Sequence, residues 1–182
     1  MKRQLLLATA ALALLLPASV GQSQQNAAEP AAVAEPTATM TSDDFIQKAT
    51  ISNLFQVQAS EAALQKSQNE AVKKLAQQLV TDQKKANDQI AALLKKEKIE
   101  ATVPTALDDT HQKMLDDLNA ASAEEFDKIY LEAQMKAHED ATALLNGYWK
   151  GGDNEKLQAL AKGMRPTVQW HVDMMQKMDA GA

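Results

Sequence analysis

An all-helical bundle is the fold this sequence predicts, and three observations predict it. Apolar residues recur every three to four positions in four long stretches. No segment alternates with the period of two that a half-buried strand requires. Aromatic residues are only 4%, Gly and Pro number 6 and 5, and Ala, Leu, Gln, Lys and Glu dominate, a composition suited to helices. A single apolar stripe cannot be buried alone, so four of them closing on one core is the economical arrangement.

The chain opens with Met1-Lys2-Arg3-Gln4 and an apolar run from Leu5 to Leu16, ended by Pro17 and the small residues Ser19 and Gly21. Twelve helical residues reach about 18 Å, short of a hydrocarbon core of roughly 30 Å. Basic start, apolar middle and small-residue exit predict a cleavable secretory signal over residues 1–21. No cysteine follows the apolar run, which excludes a lipid-anchored lipoprotein, and the chain has none at all, so no disulfide staples the fold. Removing the signal leaves 17 basic against 24 acidic residues, a net charge of −7. That balance argues against a nucleic-acid partner, which needs a basic footprint. No later stretch is apolar enough to span a bilayer, so no transmembrane segment is expected in the mature chain.

Residues 22–41, rich in Ala, Pro, Gln and Glu, hold almost nothing to bury and predict a disordered tether; the bundle is expected over 42–180. Its first helix runs from Ser42 to about Gln65, behind the hydroxyl and acids of Thr41-Ser42-Asp43-Asp44. Ile51, Leu54, Phe55 and Ala62 form its expected inner face, with Gln58 and Glu61 on or beside it. After the turn Ser67-Gln68-Asn69-Glu70, a second helix reaches about Lys98 with Val72, Leu75, Ala76, Leu79, Ala86, Ile90, Leu93 and Leu94 in register. Beyond Pro104, a short helix over Ala106 to Leu118 carries Leu107, His111, Met114, Leu115 and Leu118. Ser122-x-x-Glu125 is a capping box for the next long helix, which ends near Gly151-Gly152. Asp153 is the expected cap of the last helix, striped by Leu157, Leu160, Met164, Val168, Met175 and Met178. Pro166 lies inside it and predicts a kink beside His171. Trp149 and Trp170 read as packing residues near the turn between the last two helices.

Chemistry-bearing residues are few. The three histidines, His111, His138 and His171, all fall on apolar stripes. Gln58, Gln83, His138 and His171 place one inward polar residue on each long helix, and Asp82, Asp127 and Tyr130 complete a candidate core network. Such a set serves either as a hydrogen-bonded network fixing helix register or as a metal or small-ligand site in the bundle core. Glu-x-x-His pairs of the di-iron type are absent, and two imidazoles with two amides suit zinc or iron poorly. The run His171-x-x-Met174-Met175-x-x-Met178 is a soft set of the kind copper(I) favours, although methionine at helical spacing is also ordinary core filler. The candidate metal ligands are therefore His138, His171 and Met175. No nucleophile elbow, phosphate loop or Ser/His/Asp spacing occurs.

The stretches Leu75 to Lys96, Phe126 to Leu145 and Met164 to Met175 resemble a bacterial domain-of-unknown-function family of exported, ferritin-like four-helix proteins, often labelled outer-membrane proteins. The resemblance covers about Phe45 to Met178 and implies a ferritin-like bundle with an extra short helix between the second and third long helices. Asp82, Asp127, Tyr130, His138, Pro166 and His171 match its motifs. Gln83 stands where relatives often carry His, and Gln58 where they often carry Glu. If those positions bind metal in relatives, this chain has lost two ligands. The residues thus predict an exported, periplasmic or secreted helical module, a non-enzymatic binding or stress-related protein whose partner is an unidentified protein or small molecule and which more readily lacks a cofactor than holds a transition metal; association with the cell envelope through the tether is a further reading. The alternative is a copper-, zinc- or iron-binding protein using His138 and His171, assisted by Gln83 or Met175.

Overall fold

The computed structural model describes residues 39–179; the expected signal and nearly all of the expected tether lie outside them. Five helices make up the described chain, and no strand occurs among these residues: α1 Ser42–Lys66, α2 Glu70–Glu97, α3 Asp109–Ala120, α4 Phe126–Gly151 and α5 Glu155–Asp179. No described helix is long and apolar enough to cross a membrane.

Local chemistry sets the ends. Thr41 Oγ1 accepts the amide of Asp44 at the start of α1. Asn69 Oδ1 accepts the amides of Ala71 and Val72 at the start of α2. α3 starts at Asp109 rather than Ala106, because Asp108 is its cap and accepts the His111 amide. Ser122 and Glu125 bond each other as the capping box predicts, although regular α-helix begins only at Phe126. The last cap differs from the expectation. Asn154, not Asp153, accepts the amides of Lys156 and Leu157, while Asp153 bonds Ser42 and Tyr148 instead. α5 continues through Pro166 without a break.

The four long helices close a ring in the order α1, α2, α5, α4, with α3 laid over α1 and α4. Cross-bonds fix antiparallel register: Asn53 meets Asn87 and Gln56 meets Gln83 between α1 and α2, and Gln56 meets Gln134 and Ser60 meets Tyr130 between α1 and α4. Two apolar clusters fill the interior. One gathers Phe55, Leu75, Leu79, Leu118, Phe126 and Met175. The other gathers Phe45, Ile46, Ile90, Leu145, Tyr148 and Leu157. Between them lies a waist of buried polar side chains, and it is there that both inward histidines sit.

The inner face of α1 is not the expected one. Ile51, Leu54 and Ala62 are only half-buried, while Phe45, Ala49, Ser52, Gln56, Ala59, Ser60 and Ala63 line the core. Phe55 is buried as expected, but polar residues occupy much of that face, so the apolar pattern of the sequence points to one edge of it rather than its centre.

Candidate metal centre at the bundle waist

His138 on α4 and His171 on α5 are fully buried, and their rings meet edge to face with centroids 5.1 Å apart. His138 Nδ1 lies 2.8 Å from the Gln134 carbonyl oxygen one turn back in its own helix. His138 Nε2 lies 3.2 Å from His171 Nδ1. His171 Nε2 lies 2.9 Å from Asp82 Oδ2 on α2, which also accepts Gln78 Nε2 at 2.8 Å. The four groups form one line from the α2 surface to the α4 backbone.

Counting hydrogens along this line exposes a deficit. A neutral imidazole carries a single N–H, on one nitrogen or the other. A carbonyl oxygen only accepts, so the hydrogen of His138 sits on Nδ1. A carboxylate oxygen only accepts, so that of His171 sits on Nε2. With both rings neutral, the inner nitrogens, His138 Nε2 and His171 Nδ1, face each other as two lone pairs with no hydrogen between them. Burial disfavours the charged form of both imidazoles. It lowers His138 to about 4, against a smaller raising effect of the Gln134 carbonyl. It also lowers His171 despite the hydrogen bond and charge of Asp82. One cation would complete the line.

The outer partners are those that orient metal-bound imidazoles, a backbone carbonyl for one ring and a carboxylate for the other. Close by, Gln134 donates Nε2 to the Gln56 carbonyl at 3.1 Å and to Ser60 Oγ at 3.2 Å. Its Oε1 is buried without a hydrogen-bond partner among the described residues. Gln56 bonds Ser52 at 2.9 Å and accepts Gln83 at 2.5 Å, and Tyr130 shares a hydrogen bond with Ser60 at 2.9 Å.

Of the residues singled out from the sequence, Gln83, His138, His171, Asp82 and Tyr130 therefore meet at or beside the waist. Gln58 does not: it is half-buried, and Gln56, two positions earlier, is the inward amide of α1. Asp127 is half-buried with an unpartnered Oδ1, and no hydrogen bond joins it to Asp82 or to either histidine. Met175 is buried in the apolar cluster with Leu79 and Phe55. His111 lies apart, bonded to Asp108 at 2.7 Å and packed edge-on to Phe55. It borders a cavity of about 210 Å³ with Lys48, Ile51, Ser52 and Leu144. Trp170 is 46% exposed beside His171 and does not pack at the α4–α5 turn, whereas Trp149 stacks under Arg165. The residues missed from the sequence are Gln56, Gln134, Ser52 and Ser60. Their signal was spacing: Ser52, Gln56 and Ser60 stand four apart, and Gln134 precedes His138 by four.

A cavity borders the His171 ring. It has a volume of about 130 Å³, lies between α2 and α5 and is lined by Asp82, Gln83, Lys85, Met164, Thr167 and His171.

Residues 27–178 match the family model described as "Domain of unknown function (DUF4142)". The chain belongs to the DUF4142 family. Among solved structures, this DUF4142 chain is similar to CopM in its Cu(II)-bound form, at TM-score 0.64 and 20% identity over 77% of this chain and 96% of that one. It is similar to CopM in its Ag-bound form at TM-score 0.63 and 20% identity, over 78% and 97%. It also resembles a DUF305 fragment from Deinococcus radiodurans at TM-score 0.65 and 16% identity, over 76% and 94%. At these identities the likeness is one of fold. No curated protein matches the chain.

Proposed function

We propose that this DUF4142 protein is a non-enzymatic, ferritin-like bundle that binds a transition-metal ion between His138 and His171. One observation carries the proposal: two imidazole nitrogens face each other at 3.2 Å in a buried site, each ring held from behind by an acceptor. Nitrogens so placed suit a metal ion, since imidazole is a ligand for copper, zinc, iron and nickel. CopM, similar in fold, is described in Cu(II)-, Ag- and Cu(I)-bound forms, which supports the same class of ligand here. The basic and apolar start of the chain supports export, where such an ion would be met outside the cytoplasm.

Titration calorimetry on metal-free protein tests the proposal. One equivalent of ion is expected to bind tighter than about 10 µM, about −7 kcal/mol, and to be lost in the double variant His138→Leu/His171→Leu with helical circular dichroism unchanged. Binding that survives the loss of both imidazoles, or no binding at all, refutes it. The cavity beside His111 favours a second reading, a small-molecule carrier, since apolar Ile51, Ala141 and Leu144 line it together with polar Lys48, Asp108 and Asp140.

A further inference from the structure

On the carrier reading of the cavity beside His111, the groups around it name the class of molecule it takes. The cavity lies between α1 and α4, with the start of α3 at its edge. Ile51 from α1 and Ala137, Ala141 and Leu144 from α4 are its apolar wall. Ala137 and Ala141 stand one turn apart, and their short side chains leave space that larger ones would fill. At about 210 Å³ the cavity exceeds the roughly 150 Å³ that suffices to hold benzene in an apolar interior. A six-membered ring, or a branched chain of similar bulk, therefore fits with room for a head group.

The polar groups select that head. Two carboxylates line the cavity, and both are engaged. Asp108 accepts the amide and the Nδ1 of His111, and both oxygens of Asp140 accept Lys136 Nζ. Lys48 is exposed at the rim and has no ion-pair or hydrogen-bond partner among the described residues. One turn further along α1 stands Ser52, only 8% exposed and also lining the cavity. Its Oγ accepts Gln56 Nε2 at 2.9 Å, and no acceptor among the described residues takes its hydroxyl hydrogen. Side chains four apart on a helix are neighbours, with Cβ atoms about 5–6 Å apart, so the ammonium and the hydroxyl reach the same end of a ligand. Two unspent donors, one of them charged, match the two oxygens of a carboxylate. An ammonium head would meet Lys48 as a like charge, and the carboxylates that could receive it already have partners.

We infer that this cavity binds a small monocarboxylate with a compact aromatic or branched aliphatic body. Lys48 and Ser52 hold its carboxylate, and its body lies against Ala137, Ala141 and Leu144.

Proton–nitrogen-15 resonance titration of the intact chain with phenylacetate, its neutral isostere phenylacetamide and the cation phenethylamine tests this. Phenylacetate is expected to shift the amides of Ser52, Ala137 and Ala141 with a dissociation constant of about 0.1–1 mM, at least about 10-fold tighter than either analogue. Lys48→Gln, at an exposed position, is expected to weaken phenylacetate by about 10-fold, and Ser52→Ala by about 3- to 10-fold. Ala141→Leu, which fills the space, is expected to abolish the shifts. Phenylacetamide or phenethylamine bound here as tightly as phenylacetate overturns the inference and leaves the carrier reading standing. Phenylacetate bound by Lys48→Gln as tightly as by the wild type overturns it as well. Shifts confined to residues elsewhere, or no shift with any of the three, sink the carrier reading too.

Discussion

A neutral imidazole has one N–H to place, and at positions 138 and 171 the neighbours decide where it goes. Gln134 claims it at one end of the line and Asp82 at the other, and the middle is left short. Burying such a deficit is expensive for a structural network alone, because unmet polar groups in an interior cost about 1–3 kcal/mol each. The two tyrosines show the same interior acting on a simpler group. Burial pushes Tyr148 up to about 12, with Asp153 adding to the rise and Ser42 opposing it. Burial also raises Tyr130, against the hydrogen bond from Ser60. Both phenols keep their protons in the folded chain at a pH where the unfolded chain releases them, near 10. Their contribution to stability is therefore complete below pH 10 and is lost as pH climbs towards 12. Ultraviolet titration at the tyrosinate band should show no ionisation in folded protein near pH 10, and both phenols titrating there in concentrated urea. A phenol that ionises near 10 in the folded chain contradicts the burial described.

At the scale of single helices, the apolar pattern was informative where the core face is apolar and misleading where it is not. α2 was legible: Val72, Leu75, Ala76, Leu79, Ala86, Ile90 and Leu94 are buried as their spacing predicts. In α1 the core face carries Ser52, Gln56 and Ser60, so the periodicity selected Ile51 and Leu54 and pointed to Gln58 instead of Gln56. The histidines were found because they sit on otherwise apolar stripes. Their outer partners were only half visible, since a backbone carbonyl such as that of Gln134 has no signature in a sequence. Two glycines separate helix propensity from packing. A Cβ at Gly163, inside α5, meets nothing within 4 Å, so Gly163→Ala should stabilise by about 0.5–1 kcal/mol. A Cβ at Gly152 would come within 2.6 Å of the Tyr148 ring, which is stacked on Phe45 and bonded to Ser42 and Asp153. Gly152→Ala should cost about 1–3 kcal/mol. Urea denaturation of both variants checks the pair, and a destabilised Gly163→Ala or a neutral Gly152→Ala would count against these contacts.

Over the whole molecule, two apolar clusters are separated by a polar waist to which all four long helices contribute. An ion bound there ties α4 to α5 directly and, through Asp82, engages α2. It binds only the folded chain, and at 100 times its dissociation constant such a ligand adds about 2.7 kcal/mol. For a domain of this size that corresponds to a rise in melting temperature of roughly 5–10 °C. The rise should vanish in His138→Leu/His171→Leu. Without metal, that double variant should be at least as stable as the wild type, because two well-packed leucines carry no unmet lone pairs. Calorimetric melts with and without one equivalent of ion read both outcomes, and a metal-free double variant that melts far below the wild type would show that the pair is structural.

Nitrogen-15 resonance of the imidazole rings at neutral pH tests the hydrogen deficit most directly. In metal-free protein, His138 should be protonated on Nδ1 alone and His171 on Nε2 alone, with both inner nitrogens bare. One equivalent of silver(I) should shift those two inner resonances together and leave the protonated ones in place. A hydrogen found on either inner nitrogen, or inner resonances that ignore the ion, would contradict the site.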